Sequence, residues 1–223
     1  VSAAPFDSLN LADHVGDDPG AVARNRARVA GWFGADRLAT MAPVHGARVA
    51  QVTGPGTTAG VDGLLTRTPG LVLLALGADC VPVGLVGEEW IGVVHCGWRG
   101  LVADAVGAAV RGIAVHGDRV RTAILGPAVC GACYPVPRER ADEVRRLIPP
   151  DAASAALVAA RNGDPGIDVR AGLRVMLATL GVADVRQVDA CTVEDPGLFS
   201  YRRDVVTGRQ GIALCRGGPE EVG

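Results

Sequence analysis

Two short apolar runs end in residues with unusual chemistry: Asp79-Cys80 after residues 71–78, and His95 inside residues 90–96. A hairpin turning through Gly87-Glu88-Glu89 would pair positions whose numbers sum to about 175, which sets Cys80 opposite His95 on one sheet face. Directly opposed residues have Cβ atoms roughly 4.5–5.5 Å apart, close enough for a thiolate and an imidazole to share one zinc ion. Pro82 offers no amide proton, so it demands an edge, a bulge or the end of the strand. The other histidines are His14, His45 and His116. His45, between Val44 and Gly46 at a strand exit, is the expected third ligand. His116 beside Gly117 reads as a partner of a helix C-terminus, and His14 lies in an N-terminal loop. Two imidazoles and one thiolate leave a tetrahedral position open for water or substrate, which is the pattern of a catalytic zinc site. The same proximity also suits a metal-free thiolate nucleophile with His95 as its base, or a satisfied core histidine beside a small apolar cysteine.

Two further clusters stand near this one. In His95-Cys96-Gly97-Trp98-Arg99-Gly100 a strand gives way to a helix, and free amides beside a guanidinium suit an anion. Arg99 paired with a surface carboxylate is the plain alternative. Cys130-Gly131-Ala132-Cys133 is a lone Cys-x-x-Cys in a Gly/Pro-rich loop, and a zinc ribbon wants a second pair. Packing or loop closure is therefore expected there rather than redox work. Cys191-Thr192 and residues 199–204 are expected to form the far wall of a pocket, with salt-bridged surface arginines as the alternative.

The elements that must position these residues mix strands and helices. The stretch opening at Pro19 and ending at Gly31 and Gly34 reads as a helix. So do 101–117, 137–148 and 168–181. Strands are expected at 38–42, 48–52, 71–78, 90–96, 119–126, 185–189, 199–203 and 211–215. No linker or low-complexity tract divides the chain. One α/β (α+β) domain spanning 1–223 follows, with mixed sheets flanked by helices.

Composition narrows the chemistry further. The chain has 223 residues, 48% hydrophobic and 21% charged, enough to build a sizeable core. All 22 basic residues are Arg, so a Schiff-base lysine and a Gly-Lys-Ser/Thr phosphate loop are excluded. None of the four serines (Ser2, Ser8, Ser154, Ser200) sits in a Gly-x-Ser-x-Gly elbow. A net charge of −2 and 4% aromatics give no footprint for nucleic acid. No apolar run reaches the ~18–20 residues of a membrane span, and the first residues lack the pattern of an export signal. A cytoplasmic protein without membrane contact is expected, and its six cysteines are expected to be thiols or ligands. Its oligomeric state is not legible.

Taken together, the motifs resemble the YfiH or laccase-domain family, which is labelled multicopper polyphenol oxidase and better described as purine nucleoside phosphorylase. The resemblance rests on Ser8-Leu9-Asn10-Leu11 with His14 to Asp18, Val44-His45-Gly46, Ala78-Asp79-Cys80-Val81-Pro82, His95 to Gly100, Gly126-Pro127-Ala128 with Cys133-Tyr134, and Cys191-Thr192 through Phe199 to Asp204. It covers about Ser2 to Ile212. It implies that His45, Cys80 and His95 bind the metal, in agreement with the hairpin argument. It also implies phosphorolysis of adenosine, inosine, guanosine and methylthioadenosine, with adenosine deamination as a further activity. Some relatives are linked instead to peptidoglycan precursor editing, which would suit a Cys-His hydrolase. A non-catalytic metal- or thiol-binding module is the remaining alternative.

Several expectations follow from the resemblance. Phosphorolysis needs an anion site that places phosphate against the ribose C1′, and Arg99, Arg48 and Arg203 are the candidates. Asn10, Asp79, Gly97 and Trp98 complete the expected substrate-binding set. Zinc is the expected cofactor, with copper as its substitute. A multicopper laccase would need many more imidazoles than this chain's four. Departures from the family pattern are Pro43 for a Gln, Cys96 for an Ala and Pro135 for a Glu, none of them at the three ligands. Relatives carry an upstream strand with an Arg- and Gly-containing turn ahead of the point where Val1 stands, an expected contributor to the pocket.

Overall fold

In the computed structural model, which describes residues 1–217, the chain forms α1 (Pro19–Gly31), β1 (Arg37–Ala42), β2 (Val49–Gln51), β3 (Gly56–Ala59), β4 (Gly63–Thr66), β5 (Leu71–Gly77), β6 (Val81–Val86) and β7 (Ile91–Cys96). Then come α2 (Trp98–Val102), α3 (Ala105–Ala114), β8 (Thr122–Leu125), α4 (Arg138–Leu147), α5 (Pro150–Ala156), β9 (Leu157–Ala159) and β10 (Pro165–Ile167). Last are α6 (Val169–Thr179), β11 (Asp184–Gln187), α7 (Tyr201–Asp204) and β12 (Gln210–Cys215). The expected domain runs on into residues 218–223, which lie outside the described residues. Among the described residues no helix is long and apolar enough to cross a membrane.

Two mixed sheets stack face to face. One has the order β12-β5-β1-β3 and the other β11-β8-β6-β7-β4-β2, so the expected α/β class with helix-flanked mixed sheets holds. Side-chain alternation explains the layering. Leu73 and Ala75 of β5 meet Leu64 of β4 and Val93 of β7 between the sheets, while Leu74 turns outward onto Leu11 and Val29 under α1. On the far side of the large sheet, Leu65, Val83, Leu85 and Val94 pack against Leu101, Ile113 and Leu173 of α2, α3 and α6. Each of these fully buried aliphatic side chains contributes about 1.5–3 kcal/mol. Gly84 lets the sheets approach, because a Cβ there would stand 3.0 Å from Ile212 Cδ1.

Several elements differ from the sequence expectation. The helix expected over 101–117 breaks into α2 and α3 at Asp104, whose φ of 58° is left-handed. Strands β3, β4, β9 and β10 and helix α5 are additional to the expected set. The strand expected at 199–203 is instead the single turn α7, because its amides are taken by side chains. Ser200 Oγ accepts from the Arg203 N–H at 3.2 Å, and Asp79 Oδ2 accepts from the Arg202 N–H at 2.7 Å.

The β6–β7 hairpin is present in a different register. Its partners are Val81 with Cys96 and Pro82 with His95, two positions away from the expected pairing. The reason lies in the turn, where Asp118 accepts N–H bonds from Glu88, Glu89 and Trp90 at 3.0, 2.9 and 2.8 Å. That carboxylate fixes a four-residue loop from Gly87 to Trp90. Pro82 stands at the end of the β6 ladder with β8, one residue before the partners Val83 and Leu125, and its carbonyl accepts the Gly126 N–H at 2.8 Å.

Burial acts to raise the Asp118 carboxyl, but the N–H groups of Glu89, Trp90 and Arg119 outweigh it and hold the group below the usual carboxylate range. A depressed folded value stabilises the protein above the unfolded value, and this contribution is lost as pH falls through the folded one. Asp118→Asn is therefore expected to be less stable than the parent at pH 7 and to lose less stability on acidification. Urea titrations at pH 7 and pH 3 measure this, and parallel losses for both proteins would remove Asp118 from the account.

Candidate active site

His95 is the buried centre of the site. It lies two residues after Val93 on β7 and so points to the same face, between the sheets. Its Nδ1 lies 2.8 Å from the Leu76 carbonyl of β5. The carbonyl can only accept, so Nδ1 carries the proton and Nε2 is left with its lone pair. That Nε2 is buried and has no hydrogen-bond partner among the described residues. A backbone carbonyl holding one ring nitrogen so that the other is free is the arrangement that prepares an imidazole for a metal. Burial pulls the imidazole below its usual value despite the Leu76 bond, with nearby His45 adding to the effect, so the ring is neutral and able to ligate.

Cys80 reaches His95 diagonally rather than from directly opposite. Because the register differs by two residues, side chains keep their faces, and Cys80 stands just before β6, opposite Gly97. Gly97 provides the room: a Cβ on it would lie 2.8 Å from Cys80 Sγ. Burial, with the Asp79 carboxylate second, pushes the Cys80 thiol up to about 11. A thiol in that state is no ready nucleophile at neutral pH, whereas a bound cation would favour its thiolate.

His45 comes from the β1–β2 loop and has a left-handed φ of 61°. What holds it there is Asp62, fully buried, whose carboxylate accepts the N–H groups of Val44, His45 and Gly46 at 3.1, 2.7 and 2.9 Å. The carbonyl of the same residue accepts the His95 N–H at 2.8 Å. Asp62 thus ties two candidate ligands together, and sequence reasoning did not find it. The His45 and His95 rings meet edge to face with centroids 5.0 Å apart. Ligand atoms of His45, Cys80 and His95 all lie within 4.8 Å of one another. A tetrahedral zinc needs its ligand atoms about 3.3–3.8 Å apart, so small side-chain movements close the site. The donor set and the orphaned Nε2 both fit a metal.

The three residues line a cavity of about 450 Å³ with Met41, Pro43, Leu76, Tyr201, His14, Arg26 and Arg209. Its cations are therefore Arg26 and Arg209, both missed in the sequence. Arg26 is committed to the Leu11 carbonyl at 2.8 Å and to Asp13 at 3.1 Å. Arg209 is partly buried above the Tyr201 ring, and its NH1 donates to the Thr207 and Gly208 carbonyls at 2.9 and 2.8 Å. Asn10, wholly buried, accepts the Arg209 N–H at 2.9 Å and so fixes that residue's backbone.

The other expected contacts are placed elsewhere. Arg48 is exposed near Gly60, and Arg99 lies over the Trp98 ring at 4.9 Å, with Arg140 at 4.7 Å from the same ring. Arg203 is engaged with the Thr192, Asp195 and Leu198 carbonyls. None of Arg48, Trp98, Arg99 and Arg203 lines the cavity. Cys96 is fully buried, and burial drives its thiol far up.

Asp79 is a buttress. Its left-handed φ of 95° turns the chain into Cys80, and its Oδ1 accepts Thr192 and Ser200 hydroxyls at 2.6 and 2.7 Å. Asp79→Ala would strand two wholly buried hydroxyls and keep the strained φ. A loss of about 3 kcal/mol in urea unfolding is expected. A loss under about 1 kcal/mol would mean that the two hydroxyls find other partners.

Known proteins resemble this chain over nearly its whole length. The family described as "Multi-copper polyphenol oxidoreductase laccase" matches residues 1–216. A protein of Mycobacterium tuberculosis (strain ATCC 25618 / H37Rv) named a purine nucleoside phosphorylase is 46% identical over 218 residues, 94% of this chain and 85% of the relative. The "Purine nucleoside phosphorylase YfiH" of Shigella flexneri is 36% identical over 219 residues, 94% of this chain and 86% of its own length. Among solved structures, YlmD from Geobacillus stearothermophilus superposes with a TM-score of 0.87 at 31% identity, covering 96% of this chain and 87% of that one.

Proposed function

The chain belongs to this laccase-described family of YfiH proteins, and on that premise we propose that it is a zinc-dependent purine nucleoside phosphorylase. Its substrates are adenosine, inosine, guanosine and methylthioadenosine, and it deaminates adenosine as a second activity. The observation that carries the reading is the unpartnered Nε2 of His95, buried beside Cys80 and His45 in a cavity large enough for a nucleoside. His45, Cys80 and His95 would hold the zinc, which supplies a Lewis-acidic charge that polarises a bound oxygen or substrate group.

The residues of the chain do the rest. Met41, Pro43 and Leu76 give the cavity apolar walls that exclude water from a bound nucleoside, and the Tyr201 ring offers a face to the flat purine. Arg209 presents a guanidinium inside the cavity, where phosphate must stand for its oxygen to bond C1′ as the C1′–N9 bond breaks and the base takes a proton. The metal-free alternative is weaker, because a thiol near 11 beside a neutral, buried imidazole does not form a thiolate–imidazolium pair at neutral pH.

Adenosine incubated with the purified protein, with and without phosphate, tests the proposal. Adenine formed only with phosphate is the expected result, and inosine in either tube marks the deaminase activity. No turnover of any of the four nucleosides would overturn the reading. Arg209→Ala is expected to raise KM for phosphate about tenfold with a smaller change in kcat, as steady-state kinetics would show. A KM within about twofold of the parent's would remove Arg209 from the phosphate site.

A further inference from the structure

A second group of ligand-type side chains lies outside the cavity. The lone Cys-x-x-Cys of the sequence is not alone in space: Cys191 and Glu194 come from a loop some sixty residues on, and the ligand atoms of Cys130, Cys133, Cys191 and Glu194 all lie within 4.8 Å of one another. The two arms match. Each has ligand-type residues three apart, and each closes a backbone turn between them, with Cys133 N–H to Cys130 carbonyl at 3.0 Å and Glu194 N–H to Cys191 carbonyl at 3.1 Å. The arms are also joined to each other by the Ala128–Cys191 bridge and by a Cys130 N–H donated to Cys191 Sγ at 3.3 Å. An amide proton on a sulfur is a device that stabilises a ligating thiolate.

We propose that Cys130, Cys133, Cys191 and Glu194, brought together by these two turns, form a second and structural zinc site. Three sulfurs and one carboxylate make a closed tetrahedral set with no position left for substrate. Sulfurs bound to one zinc stand about 3.8 Å apart, a separation the cluster reaches with small side-chain movements. All three cysteines are free thiols, and Arg161, paired with Glu194, offsets part of the negative charge that three thiolates would bring. The zinc would clamp the loop that starts at Cys191. That loop carries Thr192 and Ser200, whose hydroxyls hold Asp79 beside Cys80. The second site thus stabilises the wall of the first without touching substrate.

Metal counting on the full chain tests this independently of any turnover. The parent protein is expected to hold about two zinc ions, and the His45→Ala/Cys80→Ser variant, stripped at the cavity, about one. That variant loaded with cobalt is expected to show intense thiolate-to-cobalt absorption, lost when Cys133→Ser and Cys191→Ser are added. On the parent itself, Cys130, Cys133 and Cys191 are expected to resist alkylation by iodoacetamide until a chelator is added, a readout that needs no variant to fold. A metal-free cavity variant would overturn the proposal. So would equal alkylation before and after chelation, or a disulfide among the three cysteines in protein purified without reductant.

Discussion

Gly97→Ala is expected to abolish metal binding at the cavity and to cut nucleoside phosphorolysis by about 10²-fold or more. The added methyl group would lie 2.8 Å from Cys80 Sγ, a separation that real Cβ atoms do not show, and 3.7 Å from the His45 ring. The dihedrals do not object, since Gly97 has φ −90° and ψ −172°, open to any residue; as the N-cap of α2 it is better as Gly than as Ala, by about 1 kcal/mol. Beyond that modest cost to the helix start, the damage falls on the sulfur. Metal content by mass spectrometry of the ions, steady-state kinetics and a thermal melt separate the effects. The expected pattern is one zinc lost and activity lost, with a melt close to that of the parent stripped of its cavity metal. Full zinc content and parental kcat in this variant would show that Cys80 Sγ is not a ligand.

Gly97 also shows how far the sequence can be read and where it stops. Glu88 and Glu89 between two apolar runs announce a hairpin, because charged residues at that spacing cannot continue a buried strand. The register was not legible, since it depends on Asp118, some thirty residues from the turn, taking its amides. Cys80 and His95 share a face all the same, because a two-residue displacement preserves side-chain parity. Asp62, Arg209 and Glu194 gave no signal for the opposite reason. Each is an ordinary polar residue in a loop, and its role arises only when a strand far away in the chain brings it to the site. The cysteine at position 191 was visible as a residue type, but its proximity to Cys130 is a product of the parallel bridge at Ala128. Asp79 was legible as unusual and expected to bind substrate, yet its carboxylate is occupied by residues more than a hundred positions on.

Asp62→Ala is expected to weaken zinc binding by about 10–100-fold and to reduce activity accordingly, although Asp62 touches neither metal nor substrate. The effect acts through His45. A non-glycine residue with φ near 61° costs about 1–2 kcal/mol, and three N–H groups converging on one buried carboxylate offset that cost. Without the carboxylate the turn relaxes toward an ordinary φ, and the imidazole leaves the point where the other two ligands meet. His95 is affected less, because its N–H is accepted by the Asp62 carbonyl, which alanine retains. Asp62→Asn sharpens the test. An amide keeps one acceptor oxygen for the Val44 and His45 N–H groups but turns a donor toward Gly46 N–H, so it should hold zinc at an affinity between those of the parent and the alanine variant. Competition with a chelator of known strength orders the three proteins. If Asp62→Ala matches the parent in that competition, the left-handed turn at His45 holds itself, and the carboxylate serves only the fold.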